Sequence, residues 1–213
     1  MILITGATTD FGNATIDYLL EKGARLGSIA ALTRERKKAE NLLSKGIILR
    51  IGDFDNYASL VDAFDDVDKI LMVSGKDLEN RVKQHQNAIM AAKKAGVKHI
   101  YYTRYEPNYE KEISPAGFLK HRYGNTENAI KESGIPYTIF RNNIYPGTPT
   151  SDLDEKASET GAVSPTGQTS SAFTSYNEMA EATAYLLMSE GHKNKEYYLS
   201  NTENVSCLNP QIC

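Results

Sequence analysis

Apolar residues in this chain come in short unbroken runs separated by stretches of helical spacing. The first run, Ile2, Leu3 and Ile4, has no polar interruption, as expected of a strand covered on both faces of a parallel sheet. Ile16, Leu19 and Leu20 then fall at i, i+3 and i+4, and Gly23 stands where a left-handed C-terminal cap belongs, so a helix follows. The alternation repeats: strands are predicted over 26–32, 47–51, 67–73, 97–103 and 135–140. Between them lie a helix containing Lys37, Lys38, Leu42 and Leu43, one running from beyond Gly75 to about Ala95 with Val82, Ile89 and Ala92 inward, and one over 116–133 closed by Gly134. Regular alternation implies right-handed crossovers and an α/β fold with a doubly wound parallel sheet. A ligand then belongs at the carboxyl ends of the strands, by the switch point.

The pattern changes near residue 146. Pro146, Gly147, Pro149, Gly161, Pro165 and Gly167 interrupt a polar stretch that reads as a long connection, a candidate substrate lid. Ser175 and Glu178 form a capping box ahead of a helix with Met179, Thr183, Leu186 and Leu187 on one side, ending at Gly191; a last strand is predicted over 196–200. Residues 205–213 show neither periodicity nor an apolar run, so no ordered element is expected there. The chain divides into a nucleotide-binding unit over 1–145 and a reduced C-terminal lobe and tail over 146–213.

Composition narrows the function classes. The 213 residues carry a formal charge of −3 without a basic block, which argues against a nucleic-acid surface. No apolar run approaches membrane-spanning length, and Met1 leads straight into the first strand without a charged leader, so the cytoplasm is the expected location. Cys207 and Cys213 are too few and too near the end for a disulfide framework or a zinc site, and His85, His99, His121 and His192 lack metal-ligand spacing; no metal is expected.

The chemistry concentrates after the first strand. Gly6, Ala7, Thr8, Thr9, Asp10, Phe11 and Gly12 form a turn between strand and helix, where unpaired N–H groups and the helix dipole converge on a point that suits a pyrophosphate. The spacing Gly6, position 9, Gly12 matches the three-glycine dinucleotide pattern except at Thr9. Its Cβ is expected to crowd the turn and weaken binding, while its hydroxyl offers a phosphate donor in compensation. A plain strand–turn–helix corner is the alternative. At the end of the second strand the first charge is Arg34, with Lys38 one turn on; a cation there suits the 2′-phosphate of NADP, so NADP(H) is expected over NAD(H), a solvated helix start being the rival. After the third strand Asp53 and Phe54 could serve adenine, or Asp53 could cap the next helix; Val73, Ser74 and Gly75 end the fourth.

In order along the chain, Thr5-Gly-Ala-Thr with Gly12, Thr33-Arg34, Gly52-Asp53-Phe54, Tyr102-Thr103 and Gly134-Ile-Pro-Tyr-Thr-Ile-Phe-Arg-Asn142 resemble the NmrA-like atypical short-chain dehydrogenase/reductases, most of all the bacterial type 2 NAD(P)H:quinone oxidoreductases. The resemblance runs to about Asn204. It implies a Rossmann-type fold holding NADP(H) with Gly6 to Gly12, Arg34, Lys38, Asp53, Phe54, Val73, Ser74, Gly75 and the stretch Asn142, Asn143, Ile144, Tyr145. It implies either a reductase of quinone-like small acceptors or a redox sensor that binds cofactor and a protein partner. The resembled family continues for several more helices, so the resemblance also implies a truncated C-terminal lobe, with the frayed tail of a compact member as the alternative.

Departures from the family cluster at the chemistry. Arg104 replaces a serine common after the Tyr-Thr pair; it could polarise a carbonyl or face solvent. On the next helix, where related reductases place Lys or His, stands Tyr123, a candidate proton donor that shares a helical face with Leu119, Thr126 and Ile130 and so also reads as core. Lys120 and Thr103 are the further candidates.

Overall fold

The computed structural model describes residues 1–75, 77, 79–105, 115–142, 170–171, 174–200 and 205–206. Strand β1 (Ile2–Ile4) leads into helix α1 (Asp10–Glu21) and β2 (Ile29–Thr33) into the short helix α2 (Glu40–Ser44). Then come β3 (Ile48–Ile51), α3 (Tyr57–Ala63), β4 (Lys69–Val73), α4 (Arg81–Ala95), β5 (His99–Tyr105), α5 (Pro115–Glu132) and β6 (Tyr137–Asn142). The described remainder is β7 (Ser170–Ser171), α6 (Tyr176–Met188), β8 (Lys195–Leu199) and β9 (Val205–Ser206). Seven strands form one sheet in the order β3-β2-β1-β4-β5-β6-β8, every neighbouring pair parallel. This is the doubly wound Rossmann-type α/β sheet expected from the alternation of runs.

Strand alternation splits the core into two layers. Leu3, Ala30, Ile70, Met72, Ile100 and Tyr102 pack with Leu60 of α3 and Phe64 at its C-cap, Ala88, Ile89 and Ala92 of α4, and Ile130 of α5. On the opposite face Ile4, Ala31, Leu71, Tyr101 and Phe140 meet Ile16 and Leu19 of α1, Leu42 of α2, and Met179, Ala180, Ala184 and Leu187 of α6. Cover on both faces explains why these strands lack polar alternation. α6 and β8 both come from the 146–213 stretch, yet α6 packs on α1's layer and β8 extends the main sheet beside β6.

Strand limits moved for local reasons. β2 starts at Ile29 because Leu26–Ser28 makes a 3-10 turn, with Ser28 Oγ donating to the Arg25 carbonyl. β5 and β6 run past their last apolar residues, since pairing continues through Arg104 opposite Arg141 and Tyr105 opposite Asn142. Val205–Ser206 pairs antiparallel with Ser170–Ser171, which corrects the expectation of no element in that stretch; the predicted connection over 146–168 lies outside the described residues. Among the described residues no helix is long and apolar enough to cross a membrane, and no His, Cys, Asp and Glu cluster could hold a metal.

Candidate nucleotide-binding site

The switch point lies between β1 and β4, because the chain winds outward from β1 to β2 and β3 and returns to β4 on β1's other side. Thr5 ties the two strands there: its N–H donates to the Leu71 carbonyl at 3.0 Å and its hydroxyl accepts from Val73 N at 2.9 Å. Gly6 has φ +60°, and a Cβ on it would approach Val73 Cβ to 3.2 Å. A Cβ on Gly12 would overlap the Gly6 carbonyl oxygen and come within 2.8 Å of Ala7 Cα, so only glycine lets α1 start pressed onto the turn.

Thr9 is the N-cap of α1. Its hydroxyl donates to the Gly6 carbonyl at 2.7 Å and accepts from Gly12 N at 3.2 Å, which commits the hydroxyl proton inside the turn. Ala7 and Phe11 are buried beneath, while Thr8, Thr9 and Asp10 form an exposed rim. The N-terminal end of α1's dipole thus faces the cleft, and Asp10 in the first turn offsets part of that positive potential.

At the end of β2, Arg34 is exposed and Thr33 Oγ1 donates to the Glu35 carbonyl at 2.9 Å. Lys38, in a 3-10 turn before α2, pairs with Glu35 at 2.6 Å, and that hydrogen bond holds the Glu35 carboxyl below its usual range. The pair is exposed, so an anionic ligand can compete for Lys38 at little cost.

Asp53 is organised by its own turn, accepting from Asp55 N at 3.0 Å, and Asn56 rather than Asp53 caps α3. The Phe54 ring stands edge-on to His85 with centroids 6.1 Å apart, and its carbonyl accepts from Asn87 Nδ2 at 2.9 Å. Beyond Val73, Ser74 Oγ donates to the Thr103 carbonyl at 2.6 Å, and the Gly75 carbonyl accepts from Arg81 Nη2 at 2.6 Å. Asn142 ends β6 buried, its Oδ1 without a hydrogen-bond partner among the described residues. Asn143, Ile144 and Tyr145 lie outside the described residues.

Of the candidate catalytic residues, Thr103 is buried at the carboxyl end of β5 and its Oγ1 accepts from Ser74 N at 3.4 Å. Lys120 and Tyr123 lie on α5, with side chains outside the described residues. Arg104 is buried against Glu127 of α5, whose other oxygen accepts from Arg141 at 3.1 Å; its guanidinium serves an ion pair inside the molecule instead of facing solvent. Helix α5 is also pinned through Thr126, whose Oγ1 lies 2.9 Å from His85 Nδ1. Burial pushes the His85 imidazole down to about 3, with Arg81 adding to the effect, so the ring is neutral.

Three participants were not singled out from the sequence. Arg81, Gln84 and Asn87 stand at i, i+3 and i+6 on α4 and bond to the loops after β3 and β4. The signal was present as polar residues recurring at helical spacing alongside inward Ile89 and Ala92.

The NmrA-like family model matches residues 1–208 of the chain. Quinone oxidoreductase 2 of Escherichia coli strain K12 is 34% identical over 200 residues, covering 94% of this chain and 68% of that protein. The crystal structure of the NADPH-dependent quinone oxidoreductase of E. coli complexed with NADPH superposes with a TM-score of 0.85 at 32% identity, covering 97% of this chain and 71% of that one. The Citrobacter sp. triphenylmethane reductase complexed with NADP(H) gives 0.82 at 36% identity, covering 96% and 71%.

Proposed function

Because the chain belongs to the NmrA-like family, we propose that it is an NADPH-dependent reductase that delivers hydride to a quinone or a similar small electrophilic acceptor. The observation that carries this reading is the glycine-tight β1–α1 turn at the switch point, with Arg34 as the first charge beyond β2. A nucleotide fits the residues present. The turn has no room for a Cβ at Gly12, and Asn142 Oδ1, buried and without a hydrogen-bond partner among the described residues, offers an acceptor at the carboxyl end of β6 on the same edge of the sheet.

In this reading Gly6 to Gly12 hold the pyrophosphate, Arg34 and Lys38 the 2′-phosphate, and Asp53 and Phe54 border adenine. Val73, Ser74, Gly75 and the stretch from Asn142 to Tyr145 line the nicotinamide end. When bound, NADPH supplies the hydride. The chain's own residues orient the acceptor, exclude water and provide a proton to the oxygen that becomes charged; Tyr123, Lys120 and Thr103 are the candidates for that donor. The Ser74–Thr103 bonds tie the carboxyl ends of β4 and β5 together, which would hold the nicotinamide-side wall in place in this reading.

Titration with NADPH and NADH tests the site. NADPH should bind more tightly, and Arg34→Ala should weaken NADPH by about ten- to a hundredfold, the range of one lost charge-assisted bond, with NADH little changed. Equal losses for both cofactors would sink the assignment. NADPH oxidation with a panel of quinones tests the acceptor: saturable turnover supports the reductase, and tight binding without turnover points to a cofactor-responsive regulator.

A further inference from the structure

Two of the loops assigned above to the nucleotide lie on separate βα units, yet one helix face holds both. Gln84 of α4 donates from Nε2 to Asp55 Oδ2 at 3.0 Å and to Asp77 Oδ2 at 3.3 Å. Asp55 belongs to the turn after β3 that carries Asp53 and Phe54, and Asp77 to the loop after β4 that carries Ser74 and Gly75. The amide sits between two carboxylates, one from each loop.

The neighbouring turns of α4 repeat the arrangement. Arg81, one turn earlier and buried, donates to the Gly75 carbonyl; Asn87, one turn later, donates to the Phe54 carbonyl. Asp77 is held from its own loop as well, accepting from Glu79 N at 3.2 Å, Asn80 N at 3.1 Å and Asn80 Nδ2 at 3.0 Å. These bonds depress its carboxyl pKa, that of the Asn80 side chain most. Each loop therefore has its own anchor on α4, and Gln84 bonds to both.

We propose that Gln84 is a positioning residue that couples the adenine-side loop after β3 to the nicotinamide-side loop after β4, so that the two walls of the nucleotide cleft are set together. The proposal rests on the nucleotide reading of the cleft. Among the described residues, 84, 55 and 77 have no hydrogen bond to Thr103; they act through Asp53 and Phe54 on one side and Ser74 and Gly75 on the other. Coupling of this kind lowers the ordering cost of binding, because one wall already fixes the other when the ligand arrives.

The experiment uses the full chain, with NADPH and NADH titrated by nucleotide fluorescence and melting followed without nucleotide. Gln84→Met keeps length and packing but cannot donate; it should weaken both nucleotides alike, by about fivefold for one lost bond, with an unchanged NADPH to NADH ratio. Gln84→Glu puts a third carboxylate between Asp55 and Asp77 and should weaken both further. The double variant Asp55→Asn/Gln84→Glu exchanges amide and carboxylate across the same contact and should recover part of that loss. Amide exchange should rise together at 52–56 and at Ser74, Gly75 and Asp77 in Gln84→Met, with the melting temperature within a few degrees of wild type.

Unchanged affinities in both single variants, faster exchange at one loop only, or no recovery in the double variant would overturn the coupling. A wild-type chain that binds neither nucleotide would sink the cofactor reading and this inference with it. Wild-type binding with unaffected variants would sink the coupling alone.

Discussion

Thr9 shows how one hydroxyl decides between two arguments about the same position. From its Cβ alone, the side chain crowds a phosphate turn and Thr9→Gly should tighten binding. Its hydroxyl, however, closes the turn on both sides, bonding to the Gly6 carbonyl at 2.7 Å and receiving Gly12 N at 3.2 Å. The cap holds α1's first turn in register with Gly6, so removing it should slacken the site even as it opens space. Thr9→Ala is expected to cost about 1 kcal/mol of stability and to weaken NADPH, while Thr9→Ser retains both. Urea unfolding with a parallel nucleotide titration checks this; tighter binding by Thr9→Gly, which alone removes the Cβ, would restore the steric view. Asp10 contributes in the opposite sense. Beside the same helix end it favours the fold and disfavours an anion, so the turn is tuned by adjacent residues that pull in different directions.

Among the elements, α5 is the one whose placement bears most on the proposed chemistry, since it carries by position Lys120 and Tyr123, two of the proposed proton donors. Its later turn is fastened by Glu127, which receives Arg104 of β5 and Arg141 of β6, and Arg141 continues to Glu196 of β8 at 2.5 Å. Glu196 also accepts from Lys131 at 2.8 Å, so the chain of charges joins α5 to three strands. Glu127→Ala removes a buried carboxylate from between two guanidinium groups and should cost on the order of 3 kcal/mol, whereas Lys131→Ala, at the exposed end, should cost about 0.5 kcal/mol or less. Comparable small losses from both, measured by denaturant midpoints, would show that the network is not what fixes α5. The strand interiors were legible because Ile2 to Ile4 or Ile29 to Leu32 admit no polar face. The strand ends were not, since Arg104, Arg141 and Asn142 look like loop residues until pairing with a neighbour is known. The strand–turn–helix corner could be read from glycine spacing; on α4 the polar spacing of Arg81, Gln84 and Asn87 was visible but its bonding was not, since Gln84 resembles any surface glutamine until Asp55 and Asp77 are brought to it.

For the molecule as a whole, among the described residues each core layer holds a buried neutral histidine, and that shapes how the fold responds to acid. His85 lies in the α3–α4–α5 layer, edge-on to Tyr102 with centroids 5.6 Å apart. His99 lies on the opposite face, stacked on Tyr101 at 4.1 Å, with Nε2 2.8 Å from Thr138 Oγ1. The Thr138 hydroxyl gives its only proton to the His192 carbonyl at 2.7 Å, so it accepts from His99 Nε2–H, which fixes the tautomer. Burial is the leading cause that lowers His99 to about 4, with Lys69 and Lys193 adding to it; His85 falls to about 3. Both pKa values are depressed relative to the unfolded value near 6.5, so below that pH the unfolded chain binds more protons. The stability these rings contribute is therefore complete above pH about 6.5 and is lost as the pH falls towards about 4 and about 3. Each histidine supplies a slope approaching about 1.4 kcal/mol per pH unit inside that window. Carboxylates held low by their partners, among them Asp68, Glu178 and Glu196, act in the same direction but only once the pH drops below their unfolded range near 4. Between pH 6.5 and 5 the histidines thus dominate. Urea midpoints should be level from pH 8 to 7 and then fall steadily to pH 5, and His99→Gln should lower the plateau but flatten the slope. A wild-type midpoint that stays level down to pH 5 would mean that neither ring is held neutral by its layer.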